Sequence, residues 1–171
     1  TMANNTALIV GAGAGLSASL ARRFAAENFN IALAARNTDK LASLAKETNA
    51  RTYHCDVENP SEVASLFDSV NTDFGDAGVV VYNPSHRVKG PFVEVDAEKV
   101  RTALMVSCYG GFLVGQEAAK RMLDNGQGSI LFTGASASVK GYVHSASFAM
   151  GKFGLRGLAQ SMARELAPKN I

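Results

Sequence analysis

The stretch Ala7-Leu8-Ile9-Val10-Gly11-Ala12-Gly13-Ala14-Gly15-Leu16-Ser17 decides how the rest of the chain is read. Four apolar residues in a row, ending in glycines, predict a short buried strand. The glycines let the backbone turn tightly. Leu16, Leu20 and Phe24 then recur every four residues, which is one face of a helix. A strand running through glycines into a helix gathers free amides and the positive end of the helix dipole at one point. That point suits an anion such as a phosphate. The alternative is a tight strand–helix turn with no ligand, and the loop does not satisfy G-x-G-x-x-G, because Leu16 sits where the last glycine belongs. Its place in a first strand–helix–strand unit favours phosphate binding.

The alternation continues outward from this loop. Ile31 to Ala35 is a second apolar run, and Thr38 is placed to cap a helix carrying Leu41, Leu44 and Ala45. Tyr53, Cys55 and Val57 alternate as a third strand would. Asn59-Pro60-Ser61-Glu62 combines a capping side chain, a proline at the first helical position and a glutamate three residues on. Val63, Leu66, Phe67 and Val70 give that helix its buried face. Val79 to Tyr82 predicts a fourth strand. Asp96 opens a long helix to about Leu123 that tolerates Gly110, Gly111 and Gly115, which predicts close packing at those glycines. Gly126 and Gly128 end it, and Ile130 to Thr133 predicts a fifth strand. A last helix carries Leu155, Leu158, Met162 and Leu166 and is stopped by Pro168. Such alternation implies right-handed crossovers. The expected fold is an α/β, doubly wound, Rossmann-type three-layer sandwich around a parallel sheet, with residues 1–171 forming one domain. A sixth strand is expected to begin at Lys169-Asn170-Ile171, so the chain reads as truncated at its C-terminus, with the fifth strand left as an edge.

Composition narrows the function. Of 171 residues, 47% are apolar and 19% charged, which is globular composition. Seventeen basic and fifteen acidic residues leave a net charge of +2. That balance is too thin for a nucleic-acid or anionic-membrane footprint. No charge occurs from Thr1 to Ala21, yet asparagines, hydroxyl residues and glycines interrupt the stretch, and it has no basic leader. It reads as strand, turn and helix start, with Thr1 ahead of Met2 reading as a cloning remnant. Cys55 and Cys108 cannot form a disulfide framework, so a reduced, cytoplasmic setting is expected. His54, Cys55 and Asp56 are consecutive and point to opposite faces of a strand, so no metal site is expected.

Taken together, these residues resemble the short-chain dehydrogenase/reductase family from about Ala7 to Ile171. The family loop is T-G-x-x-x-G-[IL]-G. Gly11, Gly15 and Leu16 match it, while Val10 and Ser17 replace the threonine and the last glycine. The resemblance implies a dinucleotide bound by Gly11, Gly13, Gly15 and Leu16, with Asp56 and Val57 at the adenine. Tyr82-Asn83-Pro84-Ser85 stands at the family's N-N-A-G, where Asn83 agrees, and Asn83 and Pro84 are assigned to the cofactor. The family continues through two more strands and a substrate-binding loop. Ala35 occupies the position of an acidic, ribose-binding residue, and Arg36 follows it. An arginine there suits a 2′-phosphate, which favours NADP over NAD. The alternative is a solvent-exposed arginine at a strand end.

The catalytic centre departs from the family. The family uses Tyr-x-x-x-Lys on its last helix, a serine after the fifth strand and an asparagine on the long helix. Here the lysine is Lys152, which also holds the nicotinamide ribose, and the tyrosine position is Phe148. Ser136 lies one residue from the serine position, and Ser107 occupies the asparagine position. Three readings follow. The first is an NADP-dependent oxidoreductase acting on a carbonyl or alcohol of a small molecule, with Ser136, Lys152, Ser107 and a substitute acid, Tyr142 or His144. The second is a non-catalytic NADP-binding or sensor module. The third is a serine hydrolase, because Gly134-Ala135-Ser136-Ala137-Ser138 comes one residue short of G-x-S-x-G; but only His144 follows closely, with no acid between. By family analogy, a homodimer or homotetramer is expected through the helices Asp96–Leu123 and Phe148–Ala167, with Phe112, Leu113, Phe153 and Leu158 as the surface; the alternative is that they face the sheet, and some of them must.

Overall fold

A computed structural model describes residues 5–171. Thr1 and the first residues of the charge-free stretch lie outside the described residues. Five strands form one parallel sheet: β1 (Thr6–Val10), β2 (Asn30–Ala35), β3 (Arg51–His54), β4 (Val79–Tyr82) and β5 (Ser129–Phe132). Their spatial order is β3-β2-β1-β4-β5. At the C-terminal end of the register, Val10 lies opposite Ala34 on one side and Tyr82 on the other. The chain winds one way from β1 to β3 and the other way from β4 to β5. A crevice therefore opens between β1 and β4, where sheets of this kind bind ligands.

The period-two pattern of β1 explains the layering. Ala7 and Ile9 pack with Ile31, Leu33, Leu41 and Leu44 under the helices α1 (Leu16–Ala26) and α2 (Ala42–Thr48). Leu8 and Val10 face the opposite layer, which holds α3 (Pro60–Phe74), α5 (Gly110–Asn125) and α6 (Ala146–Leu166). β1 is buried along its whole length, which explains its uninterrupted apolar run. The doubly wound α/β architecture expected from the sequence is the one observed.

Several local expectations are corrected. The third strand stops at His54, before Cys55 and Val57. Asp56 ends it by accepting the Glu58 N–H at 3.1 Å, and its carbonyl takes the Asn59 N–H. Asn59 caps α3 through the Ser61 N–H at 3.0 Å, as expected. Glu62 does not close a capping box on the Asn59 N–H; it accepts the Asp56 N–H at 2.8 Å and the Asn59 side-chain amide at 3.2 Å. Thr38 makes no cap. Asn37 accepts the Asp39 N–H instead, and a short 3₁₀ turn, Asp39–Leu41, leads into α2. The last helix begins two residues earlier than read, at Ala146. Residues 167–169 form a 3₁₀ turn where the sixth strand was expected to start.

The long helix is broken into α4 (Ala97–Leu104), a π turn (Met105–Tyr109) and α5. A π turn frees a backbone carbonyl that the regular ladder would have used. The buried Tyr82 hydroxyl donates to that carbonyl at Val106. The helical glycines sit where the packing is tightest. A Cβ at Gly110 would strike the Tyr82 hydroxyl and Val57, one at Gly111 would lie 2.5 Å from Leu155, and one at Gly115 would lie 3.1 Å from Phe132. Of the four expected interface residues, Phe112 and Phe153 are exposed. Leu113 is buried and Leu158 packs against the sheet, so those two belong to the core.

Candidate active site

The sheet's switch point carries a cleft of about 390 Å³. Gly11, Arg36, Asp56, Val57, Asn83 and Pro84 all line it, so six residues singled out in the sequence meet there. Gly11 has φ +78°, a left-handed backbone, and a Cβ on it would lie 2.5 Å from the Pro84 nitrogen. Only glycine fits both constraints. Asn83 ties the two loops together: its N–H donates to the Val10 carbonyl at 2.9 Å and its side-chain amide to the Gly11 carbonyl at 3.4 Å.

Gly13, Gly15 and Leu16 stand at the start of α1, outside the lining of the cleft. No side chain caps this helix, and a Cβ at Gly13 or Gly15 would meet nothing within 4 Å. Ser17 braces the loop from inside, accepting the Gly13 N–H at 2.9 Å. The result is an open cradle of amides at a helix N-terminus, and a dinucleotide pyrophosphate fits it. Arg36 is exposed at the end of β2 and makes no ion pair among the described residues.

The catalytic candidates occupy other places. Lys152 is buried, and its ammonium donates to the Thr133 carbonyl, beyond the end of β5, at 2.7 Å. Burial pulls its pKa below the ordinary lysine value. It lines a second cavity of about 210 Å³ with Gly134, Ala135 and Ser138. Ser136, the first residue of the 3₁₀ turn Ser136–Ser138, is exposed. Tyr142 lies beside it, and the Ser136 hydroxyl, with Lys140, holds the Tyr142 phenol below its usual pKa. Ser107 sits in the π turn, fully buried, and its hydroxyl is engaged by the His86 backbone, accepting the N–H at 3.1 Å and donating to the carbonyl at 3.4 Å. Ser136 and Tyr142 are neighbours, Lys152 shares its cavity with Ala135 and Ser138, which bracket Ser136 in the chain, and Ser107 is engaged by the His86 backbone.

Sequence reasoning missed Lys40, a second cation in the large cleft, although it lies only four residues beyond Arg36. It also missed Arg87, whose guanidinium lies 4.9 Å from the centre of the Phe148 ring and donates to Ser145 at 3.2 Å. The Lys152 ammonium lies 5.8 Å from the same ring. No group of three or more metal-ligating side chains occurs among the described residues, and no described helix is long and apolar enough to cross a membrane.

The molecule is similar to known proteins over nearly all of its length. A short-chain dehydrogenase from Rhodopseudomonas palustris superposes with a TM-score of 0.93 at 39% identity, covering 97% of this chain and 80% of that one. An NAD+-bound xylitol dehydrogenase gives 0.94 at 28%, over 100% and 68% of the two chains. A gluconate 5-dehydrogenase from Burkholderia cenocepacia, in complex with NADP and tartrate, gives 0.90 at 26%, over 97% and 67%. A short-chain dehydrogenase/reductase of Armillaria gallica is 30% identical over 173 residues, which is 96% of this chain and 66% of that protein. This chain therefore spans about two thirds of the length of the curated relatives it matches. The family described as short chain dehydrogenase matches residues 5–171. With the glycine cradle, the β1–β4 crevice and the parallel sheet in place over those same residues, the chain belongs to the short-chain dehydrogenase family.

Proposed function

We propose that this protein is an NADP-dependent oxidoreductase that interconverts a carbonyl and an alcohol on a small molecule, using a catalytic set altered at the tyrosine position. The carrying observation is the pair Arg36 and Lys40, both in the cleft at the end of β2, with Arg36 unmatched by an acid among the described residues. Two cations there suit the 2′-phosphate that distinguishes NADP from NAD. Gly11 sets the turn, Ser17 braces Gly13, and the free amides from Gly15 onward at the start of α1 hold the pyrophosphate. Asp56, Val57, Asn83 and Pro84 flank the adenine side.

When bound, the nicotinamide supplies the hydride that adds to the carbonyl carbon. The chain's own residues handle the proton. Phe148 has none to give, so the Tyr142 hydroxyl delivers it to the carbonyl oxygen and recovers it from water. Ser136 orients Tyr142 and sustains its lowered pKa. Lys152, fixed by the Thr133 carbonyl, holds the ribose side, and Ser107 positions the 83–90 loop through His86. The exposed rings of Phe112 and Phe153 supply a surface for homo-oligomer assembly. Two free thiols, Cys55 raised by burial to about 11, fit a reducing cytoplasmic setting. Residues 1–171 act as one cofactor-binding unit.

Calorimetric titration tests this reading. NADPH is expected to bind at micromolar concentrations and NADH at least about tenfold more weakly, since hydrogen bonds to charged groups contribute ~1.5–3 kcal/mol. Arg36→Ala should remove the preference. Equal affinities in the wild type, or an unchanged ratio in the variant, would overturn it. A second reading, a non-catalytic NADP-binding module, is favoured by Phe148, whose ring fills the tyrosine position between two cations. Carbonyl reduction by Phe148→Tyr where the wild type shows none would establish that module instead.

A further inference from the structure

The 15 acidic residues are unevenly placed. None occurs from Ala77 to Val93 or from Asn125 to Arg164, yet these two segments hold Arg87, Lys89, Lys140, Lys152, Arg156 and Arg164. The fold clips them together. Ser147 donates to the Val88 carbonyl at 2.9 Å, and the Gly90 N–H donates to the His144 carbonyl at 3.2 Å. On the other side, Ser107 holds both polar groups of the His86 backbone.

Arg87 is therefore carried on a loop fastened at the residue before it and the residue after it. Its guanidinium rests on Phe148 and uses one donor on the buried Ser145 hydroxyl. A guanidinium has five N–H donors. No carboxylate pairs with Arg87 among the described residues, whereas Arg22, Arg51, Arg101 and Arg121 all have such partners. A pre-positioned arginine with free donors, on chain segments that carry no acid, is built to receive an anion. Beside it lies a cavity of about 360 Å³ that shares Ser145 and has apolar walls from Phe92, Tyr142 and Val143.

We propose that Arg87, seated on Phe148 and steadied by Ser145, anchors an anionic head group of the substrate, a carboxylate or a phosphate monoester carried on a small apolar body. This rests on the oxidoreductase reading and names its substrate class. Phe148 then serves as the platform for the arginine that selects the substrate. Tyr142, in the wall of the neighbouring cavity, faces the body of the bound molecule.

Three probes test this on the NADPH-saturated protein and on the cofactor-free protein: phenylacetate, phenyl phosphate and neutral phenylacetamide. By calorimetry, at least one anion should bind about tenfold or more tightly than the amide, as one charge-assisted bidentate contact allows. Arg87→Met should reduce that preference to less than about twofold, and Arg87→Lys should restore part of it, both with unchanged circular dichroism. Lys46→Ala, at the far end of α2, should leave it intact. Tighter binding of phenyl phosphate assigns a phosphate monoester, and tighter binding of phenylacetate assigns a carboxylate. Equal binding of all three probes, binding of none, or a preference that survives Arg87→Met overturns the proposal. Anion binding by a protein that takes neither NADPH nor NADH would keep the subsite and remove the oxidoreductase reading. Cofactor binding without anion preference would do the reverse.

Discussion

The two sides of the β1–β4 crevice are built from different materials. On the β1–β2–β3 side the phosphate cradle is backbone: a glycine at positive φ, a helix N-terminus without a side-chain cap, and loops joined by Asn83. On the β4–β5–α6 side the site is mostly side chains: Arg87 on Phe148, Lys152 on the Thr133 carbonyl, and Tyr142 beside Ser136. Backbone sites tolerate little change of residue, because the constraint is space and dihedral angle. Side-chain sites can be rebuilt one group at a time. The difference teaches where residues can be exchanged without losing the fold, and Phe148 and Ser107 both fall on the second side.

The largest expected effect breaks the first side. Gly11→Ala demands a left-handed alanine and drives its Cβ into the Pro84 ring. Each fault costs ~1–3 kcal/mol, so a loss of about 3 kcal/mol is expected from the urea midpoint, together with loss of NADPH binding. A change below about 1 kcal/mol would show that the turn is not the constraint described. Gly15→Ala sharpens the same point. Its surroundings are empty, so the loss of stability should be far smaller than for Gly11→Ala, about 1 kcal/mol or less. NADPH affinity should still fall about tenfold, because the new methyl group occupies the space where the pyrophosphate approaches the backbone. An unchanged affinity would move the phosphate away from this loop.

The same contrast explains what could be read from the sequence. The strands, the helices between them and the glycine loop were legible because their causes are local: apolar runs, period-four faces and glycines between them. Of the six singled-out residues of the large cleft, Gly11 is marked by its loop, and the others by the family resemblance and the charge of Arg36. The π turn was not legible. It depends on the Tyr82 hydroxyl reaching the Val106 carbonyl across 24 residues of chain. Arg87 was missed because its partners lie on α6 and at its start, and Ser145 is 58 positions away. The Thr38 cap failed for a smaller reason, since Asn37, one residue earlier, reaches the Asp39 N–H and starts a 3₁₀ turn. Which of Phe112, Leu113, Phe153 and Leu158 face the sheet was not legible, because periodicity identifies an apolar face without saying what covers it.

The smallest effect tests the second side from within. Lys152 is a buried cation whose one recorded hydrogen bond is to the Thr133 carbonyl. Its pKa in the folded state lies below the ordinary 10.5, because burial disfavours the charged form. The unfolded chain therefore holds this proton more tightly than the folded chain does. The resulting penalty on the folded state is fully present at neutral pH, and it disappears as pH rises from the folded pKa through the unfolded one. Replacing the lysine with an apolar residue of similar length removes the penalty but strands the Thr133 carbonyl, so the two changes partly cancel. Lys152→Met is expected to be more stable than the wild type by about 1 kcal/mol at pH 7, with the advantage shrinking as pH approaches 10.5. Turnover should be lost at the same time. Denaturant midpoints of both proteins between pH 7 and 10 would measure it. A variant less stable than the wild type at pH 7 would mean that the Thr133 hydrogen bond outweighs desolvation of the ammonium, and that Lys152 fastens β5 to α6 as well as serving the site.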